Sequence, residues 1–342
     1  MGLFRIDPLM LKLIITVLLA TFIPARGHFV DIFEWLTTAA IALLFFMHGA
    51  KLSREKIIAG GGHWRLHLWV MCSTFVLFPL LGLLFVWWHP LPVSAEIYTG
   101  FLYLCILPAT VQSAIALTSL AGGNVAAAVC SASASSLLGV FISPLLVSLV
   151  MDVHNDAASG NLEQIGKIML QLLVPFLVGH LSRRWIAGWV EKHRGLIGKT
   201  DQASILLVVY SAFSEAVVNG IWHRVGVSTL LYIVAGSLGI LFVVLLINLL
   251  VARIFGFNRP DEITILFCGS KKSLANGVPM ANILFPSASV GIIVLPLMIF
   301  HQVQLMVCSL LAQRYKKAGE KLAQEQQAQN EKAPSGVVPS QK

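Results

Sequence analysis

Charged residues are scarce in this chain of 342 residues. Lys, Arg, Asp and Glu together make up 12% of the sequence, whereas 57% of the residues are hydrophobic. Soluble domains carry about 25% charged residues, so the composition excludes an ordinary soluble enzyme or binding domain. It is typical of a polytopic, all-α membrane protein.

The sequence also lacks the usual signs of a metal site, a disulfide framework or a catalytic motif. It contains five cysteines, all in apolar segments and without a CxxC spacing, so we interpret them as small core residues. The patterns GxxxxGK[ST], HExxH and GxSxG do not occur, and these would indicate a nucleotide site, a zinc protease and a serine hydrolase. We therefore expect no cofactor and no metal, and an intramembrane enzyme is disfavoured.

Ten apolar segments are long enough, or nearly so, to cross a hydrocarbon core of about 30 Å. The segments are 9–25, 32–50, 66–88, 96–121, 124–151, 164–182, 203–222, 227–252, 261–286 and 289–312. We interpret residues 1–315 as a single membrane domain and residues 316–342 as a polar cytoplasmic tail.

The distribution of basic residues tests this topology. With the N-terminus inside, eighteen of the 24 lysines and arginines fall in inside segments and only Arg26 and Arg224 fall outside. Such a bias is the positive-inside rule, and it predicts that both termini are cytoplasmic. It also accounts for the net charge of +8 without a nucleic-acid partner; the expected surroundings are a lipid bilayer.

Two of the ten segments are interrupted in a similar way. Leu107–Ser113 breaks the fourth segment with a proline and polar residues, and Gly269–Gly277 breaks the ninth with two adjacent lysines. Each lysine at the bilayer centre costs roughly 2.5–3.5 kcal/mol on insertion scales. Since ten segments divide into two sets of five, any repeat would be inverted, and paired interruptions at corresponding positions indicate the binding site of a transporter.

These residues resemble a known family. Phe45–Gly49, Leu107–Ser113 and Cys268–Ala275 are similar to motifs of the bile acid:sodium symporter superfamily, and the fuller match is to its bacterial SBF-like branch. The resemblance implies ten transmembrane helices arranged as two inverted five-helix repeats, in a bacterial cytoplasmic (inner) membrane. It further implies a panel domain (9–50 and 164–222) packed on a core domain (66–151 and 227–312), with discontinuous helices 4 and 9 crossing in the core.

The chain departs from this family where sodium would bind. Sodium-coupled members carry a Glu ahead of a Gln-Asn pair in helix 9, whereas this sequence aligns Lys271 and Lys272 with that pair and Phe267 or Cys268 with the Glu. A lysine ammonium supplies one positive charge, as a bound sodium ion does. We therefore hypothesise that one lysine replaces Na⁺ at the crossing, while the other faces the substrate or a carboxylate, with proton coupling as a further possibility. A permanently charged tether without a transport role is the alternative.

Other polar residues in the spans are candidate substrate or ion ligands. Glu215 lies inside the seventh segment, and a lysine of the ninth segment is its expected partner. The remaining candidates belong to the two interruptions and to the start of the fifth segment: Thr110, Gln112, Ser113, Asn124, Ser270, Ser273 and Asn276. Their oxygens suit a hard cation or a polar substrate group; alternatively they only satisfy backbone groups that Pro108 releases.

The sequence thus predicts a secondary transporter, a symporter of an organic anion or another small amphipathic solute, that works by alternating access. H⁺ and Na⁺ are both possible coupling ions, and sodium coupling is doubtful because of Lys271 and Lys272. The alternative is a non-transporting membrane regulator of ion homeostasis that retains the transporter fold.

Overall fold

The computed structural model describes residues 8–51, 62–151 and 161–332, and all regular secondary structure in these ranges is helical. The helices are α1 (Pro8–Phe22), α2 (His28–Lys51), α3 (Trp64–Cys72), α4 (Phe78–Trp88), α5 (Ala95–Ile106), α6 (Gln112–Leu120), α7 (Val125–Val150), α8 (Asn161–Lys192), α9 (Arg194–Val218), α10 (Ile221–Arg224), α11 (Val227–Ile254), α12 (Arg259–Gly269), α13 (Leu274–Leu284) and α14 (Ser287–Lys332). A π-helical stretch, Ser73–Leu77, joins α3 to α4.

Six of the described helical stretches are long and apolar enough to cross a membrane: His28–Lys51, Trp64–Trp88, Val125–Val150, Gly195–Val218, Val227–Ile254 and Ser287–Lys321. Large apolar side chains on their outer faces are exposed, with Trp87 at 80% and Ile254 at 76%. Such a surface is unfavourable in water and suits contact with lipid tails. The protein is therefore a multi-pass membrane protein.

Both predicted interruptions are present. The chain is not helical between Ile106 and Gln112, nor between Gly269 and Leu274, so α5 and α6 form one broken segment and α12 and α13 form the other. Pro108 has no backbone N–H to donate within a helix, and Ser273 takes the extended conformation of a helix N-cap.

Helices continue past two of the apolar segments that the sequence predicts to cross the membrane. The predicted segment 164–182 is part of α8, which continues to Lys192, and α9 begins at Arg194, well before position 203. No proline lies between 183 and 199, so nothing in the sequence ends the helices earlier. The last helix likewise continues beyond position 312, through the first part of the predicted tail, to Lys332. The connector 52–61 and the tail end 333–342 lie outside the described residues.

Helix α8 packs closely against α2 at two glycines. Gly49 of α2 lies against the backbone of Phe176, and Gly179 of α8 lies against the backbone of Phe46. Small residues at such positions let two membrane helices approach closely. This pair, together with α9, forms one wall of the cavity described below.

Candidate functional site

The two interruptions contact each other directly. The backbone N–H of Ser273 donates a hydrogen bond of 2.9 Å to the carbonyl of Pro108, and the hydroxyl of Tyr103 donates one of 2.7 Å to the carbonyl of Gly277. Backbone groups that leave a helix inside a membrane need partners within the protein. Each interrupted segment therefore supplies a hydrogen-bond donor to a backbone carbonyl of the other.

Serine side chains of α7 form hydrogen bonds with backbone groups at the first interruption. Ser143 donates its hydroxyl to the carbonyl of Ile106 at 2.9 Å, and Ser135 accepts a bond of 3.0 Å from the N–H of Ala109. Thr110 and Ser113 instead bond to each other, with their hydroxyl oxygens 2.7 Å apart. The α7 serines meet these backbone requirements, which leaves Thr110 and Ser113 available at the edge of the site.

Serine side chains also form hydrogen bonds with backbone groups at the second interruption. Ser73 donates to the carbonyl of Gly269 at 2.8 Å, and Ser270 donates to the carbonyl of Leu266 at 2.5 Å. The Ser273 oxygen accepts from the N–H of Asn276 at 3.3 Å and caps α13. Ser270 and Ser273 therefore hold the backbone of the interruption in place.

Lys272 lies at the centre of the crossing and is fully buried. Its ammonium donates three hydrogen bonds to backbone carbonyls, those of Thr74 at 2.9 Å, Cys105 at 2.8 Å and Leu107 at 2.6 Å. The same nitrogen lies 4.1 Å from the ring centroid of Phe78, a cation–π contact. Because an ammonium has three donors, this cage of carbonyls satisfies all of them.

The carbonyls in this cage lie where positive charge is favoured. Cys105 and Leu107 lie at the C-terminal end of α5, and the last carbonyls of a helix lack partners within the helix and carry the negative end of its dipole. Lys272 thus supplies both the donors and the charge at this end. One lysine in the carbonyl cage occupies the kind of position that a monovalent cation takes.

Gln304 of α14 fixes the backbone of Lys272. Its side-chain oxygen accepts from the Lys272 N–H at 2.8 Å, and its side-chain nitrogen donates to the Lys272 carbonyl at 2.9 Å and to His301 at 2.9 Å. Gln304 is fully buried, and the sequence analysis missed it. Two amides within the apolar last segment, Gln302 and Gln304, were the signal available.

Lys271 differs sharply from its neighbour. It is fully buried too, but its ammonium has no hydrogen-bond partner among the described residues. Adjacent residues project about 100° apart on a helix and in different directions in an extended stretch. The structure therefore assigns the carbonyl cage to Lys272 and leaves Lys271 on another side of the crossing.

A cavity of about 890 Å³ lies beside the crossing. Five candidates from the sequence line it: Thr110, Gln112, Ser113, Ser273 and Asn276. The other five do not: Asn124, Glu215, Ser270, Lys271 and Lys272. Neither lysine therefore lies on the cavity wall in this conformation, in contrast to the expectation that one of them faces the substrate.

The helix N-termini beyond both interruptions open on this cavity. Gln112 and Ser113 begin α6, Leu274 and Ala275 begin α13, and all four residues line the wall. The first N–H groups of a helix lack partners within the helix and attract negative charge. The wall can therefore hold an anionic group between two helix N-termini.

Asn124 joins two helices instead of lining the cavity. Its side-chain oxygen accepts from the N–H of Ala127 at 3.1 Å and caps α7, while its side-chain nitrogen donates to Asp261 at 2.9 Å. Its backbone N–H and carbonyl both bond to the hydroxyl of Thr264. Asn124 therefore ties the start of α7 to the start of α12.

This placement gives a prediction for Asn124→Ala. We expect a loss of about 1–2 kcal/mol of stability, because a helix cap and a partly buried hydrogen bond to a carboxylate are removed. The measurement is the Tm of the purified protein, and Asn282→Ala, which changes the same residue type at a partly buried position of α13, is the control. An unchanged Tm in Asn124→Ala would contradict the structural role.

The expected pairing of Glu215 with Lys271 or Lys272 is not seen. The Glu215 carboxylate lies near Ser287 and Glu34, and it forms no ion pair with any described residue. Lys272 is already saturated by carbonyls. Glu215 therefore belongs to the contact between α9 and the start of α14.

The opposite wall of the cavity carries charged residues that the sequence analysis did not select. Lys51 at the end of α2 forms an ion pair with Asp201 of α9, and both line the cavity with His48 and Gln202. The partners are 150 residues apart in the chain, so no local spacing reveals them. Within ranges 8–51, 62–151 and 161–332 no group of His, Cys, Asp and Glu is suited to hold a metal ion.

Comparison with known proteins gives one family. The profile of the SBF-like CPA transporter family matches residues 7–317. The chain is 70% identical to "Putative symporter YfeH" of Escherichia coli (strain K12), over 97% of this chain and 100% of that protein. It is 29% identical to sodium/bile acid cotransporter 7-A of Xenopus laevis over 81% of each chain, and 28% identical to sodium/bile acid cotransporter 7 of Mus musculus over 80% of each. The chain therefore belongs to the SBF-like CPA transporter family, within the bile acid:sodium symporter superfamily that its motifs resemble.

Proposed function

We propose that this secondary transporter carries a small amphipathic organic anion by alternating access. The observation that carries the proposal is the cavity, whose wall contains the N-termini of both half-helices, α6 and α13. Thr110, Gln112, Ser113, Ser273 and Asn276 are the proposed substrate-binding residues. Apolar side chains such as Phe45 and Phe176 also line the cavity, and they suit the hydrocarbon part of an amphipathic substrate.

The proposed architecture is ten transmembrane helices in two inverted repeats, with a panel (9–50 and 164–222) and a core (66–151 and 227–312). In support, one wall of the cavity comes from α2, α8 and α9, whereas the other comes from α6, α7, α13 and α14. A substrate held between two such groups is exposed to either side of the membrane as they move against each other. The charge bias supports cytoplasmic termini, and the similarity to a protein of Escherichia coli supports insertion in a bacterial inner membrane.

In this proposal the transporter does not need sodium at the helix crossing. The ammonium of Lys272 already occupies a cage of three carbonyls, so the charge that a bound cation would bring is attached to the chain. Relatives of this chain are named sodium/bile acid cotransporter 7. Sodium-independent transport would therefore distinguish this chain from what those names state. In this proposal Lys271, Ser270, Asn124 and Glu215 do not contact the substrate.

Transport by purified protein in liposomes tests the proposal. The probes are labelled taurocholate and labelled octane-1-sulfonate, whose sulfonates stay charged at all relevant pH values and do not cross a bilayer unaided. We expect saturable counterflow of at least one probe, at the same rate when choline replaces sodium on both sides. Ser273→Leu, which places a larger apolar side chain on the cavity wall at the start of α13, should lower the counterflow at least tenfold.

The outcomes separate the two parts of the proposal. Counterflow that vanishes in choline would contradict the proposal that Lys272 replaces a sodium ion, but not the proposal of organic-anion transport. Absence of saturable flux for both probes, in protein whose Tm shows that it is folded, would contradict organic-anion transport.

A further inference from the structure

His301 of α14 connects the cavity to the backbone of the helix crossing. Its ring is partly buried and lines the cavity. Its Nδ1 atom lies 2.9 Å from the side-chain nitrogen of Gln304 and 3.5 Å from the carbonyl oxygen of Lys272. A histidine ring takes up or releases a proton between about pH 5 and pH 8. A group that titrates near neutral pH therefore lies on the cavity wall and contacts the crossing.

The backbone of Lys272 determines which nitrogen of the His301 ring can take up a proton. The Lys272 N–H can only donate, so the atom of Gln304 that faces it is the amide oxygen. The amide nitrogen of Gln304 therefore faces His301, and because this nitrogen only donates, Nδ1 is the acceptor. The neutral ring accordingly carries its hydrogen on Nε2, and an added proton goes to Nδ1.

A proton on Nδ1 changes the hydrogen bonds at the crossing. The bond between Gln304 and His301 is lost, because an N–H group then faces another N–H group. Nδ1 also contacts the carbonyl oxygen of Lys272, which has a second lone pair beside the one that accepts from Gln304. Protonated His301 can therefore donate a charge-assisted hydrogen bond to the crossing, and it brings a positive charge to the cavity wall.

The ionisable groups near His301 leave this charge uncompensated on the core side of the cavity. Helices α5, α6, α9, α11 and α13 pack against α14, and α6 and α13 contain no ionisable side chain. The ionisable side chains that line the cavity or lie beside Lys272 are His48 and Lys51 of α2, Asp201 of α9 and Cys105 of α5. Since Lys51 and Asp201 pair with each other, a proton on His301 makes the cavity more positive by one charge.

We propose that His301 binds a proton that is transported together with the anionic substrate, one proton for each anionic charge. This inference rests on the proposed function and deepens it, because it names the coupling ion and the residue that holds it. The positive ring attracts an anion into the cavity, and a bound anion favours the protonated ring. Such an effect between two sites is reciprocal, so each ligand strengthens the binding of the other.

Closure of the cavity explains why the two ligands would move together. When the cavity closes, an unpaired charge loses its water at a high cost in free energy. A proton and a monovalent anion together add no net charge, and neither does an empty cavity with a neutral His301 ring. The transporter therefore changes its conformation readily when it is empty or holds both ligands, and slowly when it holds only one of them.

Calorimetry on the purified full-length protein counts the protons that are taken up with the substrate. Octane-1-sulfonate is the probe, because its sulfonate stays ionised and exchanges no proton itself. Binding enthalpies in buffers of different ionisation enthalpy should show the uptake of a substantial fraction of one proton per anion near neutral pH. The affinity should rise about tenfold from about pH 8 to about pH 5.5. Binding without proton uptake at any pH overturns this inference but not organic-anion binding.

Variants assign the proton to His301. His301→Asn places an amide oxygen near the position of Nδ1, so that Gln304 keeps an acceptor, but asparagine cannot take up a proton. The affinity of this variant for octane-1-sulfonate should be independent of pH and close to the value of the unchanged protein at about pH 8. His48→Asn, the same replacement at the other histidine of the cavity, and Lys271→Met are the controls and should keep the full pH dependence. A pH dependence that survives in His301→Asn, or is lost in either control, overturns the role of His301.

A pH gradient across liposomes tests the coupling itself. An acidic exterior should drive labelled octane-1-sulfonate into liposomes above its external concentration, and an imposed membrane potential should not change this accumulation, since the transported pair is neutral. His301→Asn, with a Tm that shows it to be folded, should lose the accumulation. Accumulation that follows the membrane potential and not the pH gradient overturns the cotransport of one proton with each anion. Absence of octane-1-sulfonate binding to the folded, unchanged protein at every pH overturns the proposed anion site as well.

Discussion

Lys272→Met is expected to destabilise the protein severely. The substitution keeps the length of the side chain but leaves the carbonyls of Thr74, Cys105 and Leu107 without the ammonium that now serves them. Each buried polar group left unsatisfied costs about 1–3 kcal/mol, so a total loss of roughly 3–5 kcal/mol is a conservative expectation. Because the total stability of a protein is about 5–15 kcal/mol, such a loss would leave little of the protein folded. The measurements are the yield of monodisperse protein and its Tm.

Truncation of the same residue is expected to make the protein dependent on an added cation. Lys272→Ala removes the side chain and opens a space that is bounded by the same carbonyls, whereas Lys272→Met fills that space. Sodium, potassium or methylammonium should therefore raise the Tm of Lys272→Ala in a saturable way and leave Lys272→Met unchanged. A rescue by methylammonium would show that the cage needs a monovalent cation and not the lysine chain itself.

The neighbouring lysine is the control for both variants. Lys271 is as deeply buried as Lys272 but its ammonium has no partner among the described residues. Replacement of an unpartnered buried charge by an apolar side chain of similar length is often neutral or stabilising, so Lys271→Met should match or exceed the Tm of the unchanged protein. A loss in Lys271→Met as large as that in Lys272→Met would contradict the different roles assigned to these residues.

Hydropathy and charge predict much of this fold because they act locally. Apolar runs of sufficient length mark the helices, and glycine, proline and lysine within such runs mark the interruptions, since each carries a cost at its own position. The stretches around Pro108 and Lys272 are non-helical in the structure as predicted. Hydropathy does not mark the helix ends: α8 and α14 extend well past their apolar runs, because polar helix formers continue a helix beyond the apolar run.

The candidate site was harder to predict because its contacts join distant parts of the chain. The sequence indicated that a lysine replaces a cation, but only the three-dimensional arrangement distinguishes Lys272 from Lys271. Gln304 lies 32 residues from Lys272, and it forms hydrogen bonds with both the backbone N–H and the backbone carbonyl of Lys272. The pair of Lys51 with Asp201 spans 150 residues. Hydropathy carries no information on such pairings, since Lys51 and Asp201 lie at the ends of apolar segments where charged residues are common.

The packing of α2 against α8 gives the second large expected effect. An ideal Cβ on Gly179 would lie 1.9 Å from the carbonyl oxygen of Phe46, and one on Gly49 would lie 2.0 Å from that of Phe176, whereas real Cβ contacts below 3.0 Å essentially never occur. Backbone atoms cannot rotate away as a side chain does, so the helices themselves have to separate. We expect Gly179→Ala to cost at least the upper part of the usual 1–3 kcal/mol range for overpacking.

The separation of α2 from α8 should also change the shape of the cavity. Phe45, His48 and Lys51 of α2 and Phe176 of α8 line its wall next to these glycines, so Gly179→Ala is expected to lower the Tm by about 5 °C or more and to weaken the binding of octane-1-sulfonate. Gly188→Ala is the control within α8, because a Cβ there meets nothing within 4 Å. Alanine has the higher helix propensity by about 1 kcal/mol, so this control should be neutral or stabilising. Equal Tm values for the two variants would show that α2 and α8 do not depend on close contact at Gly179.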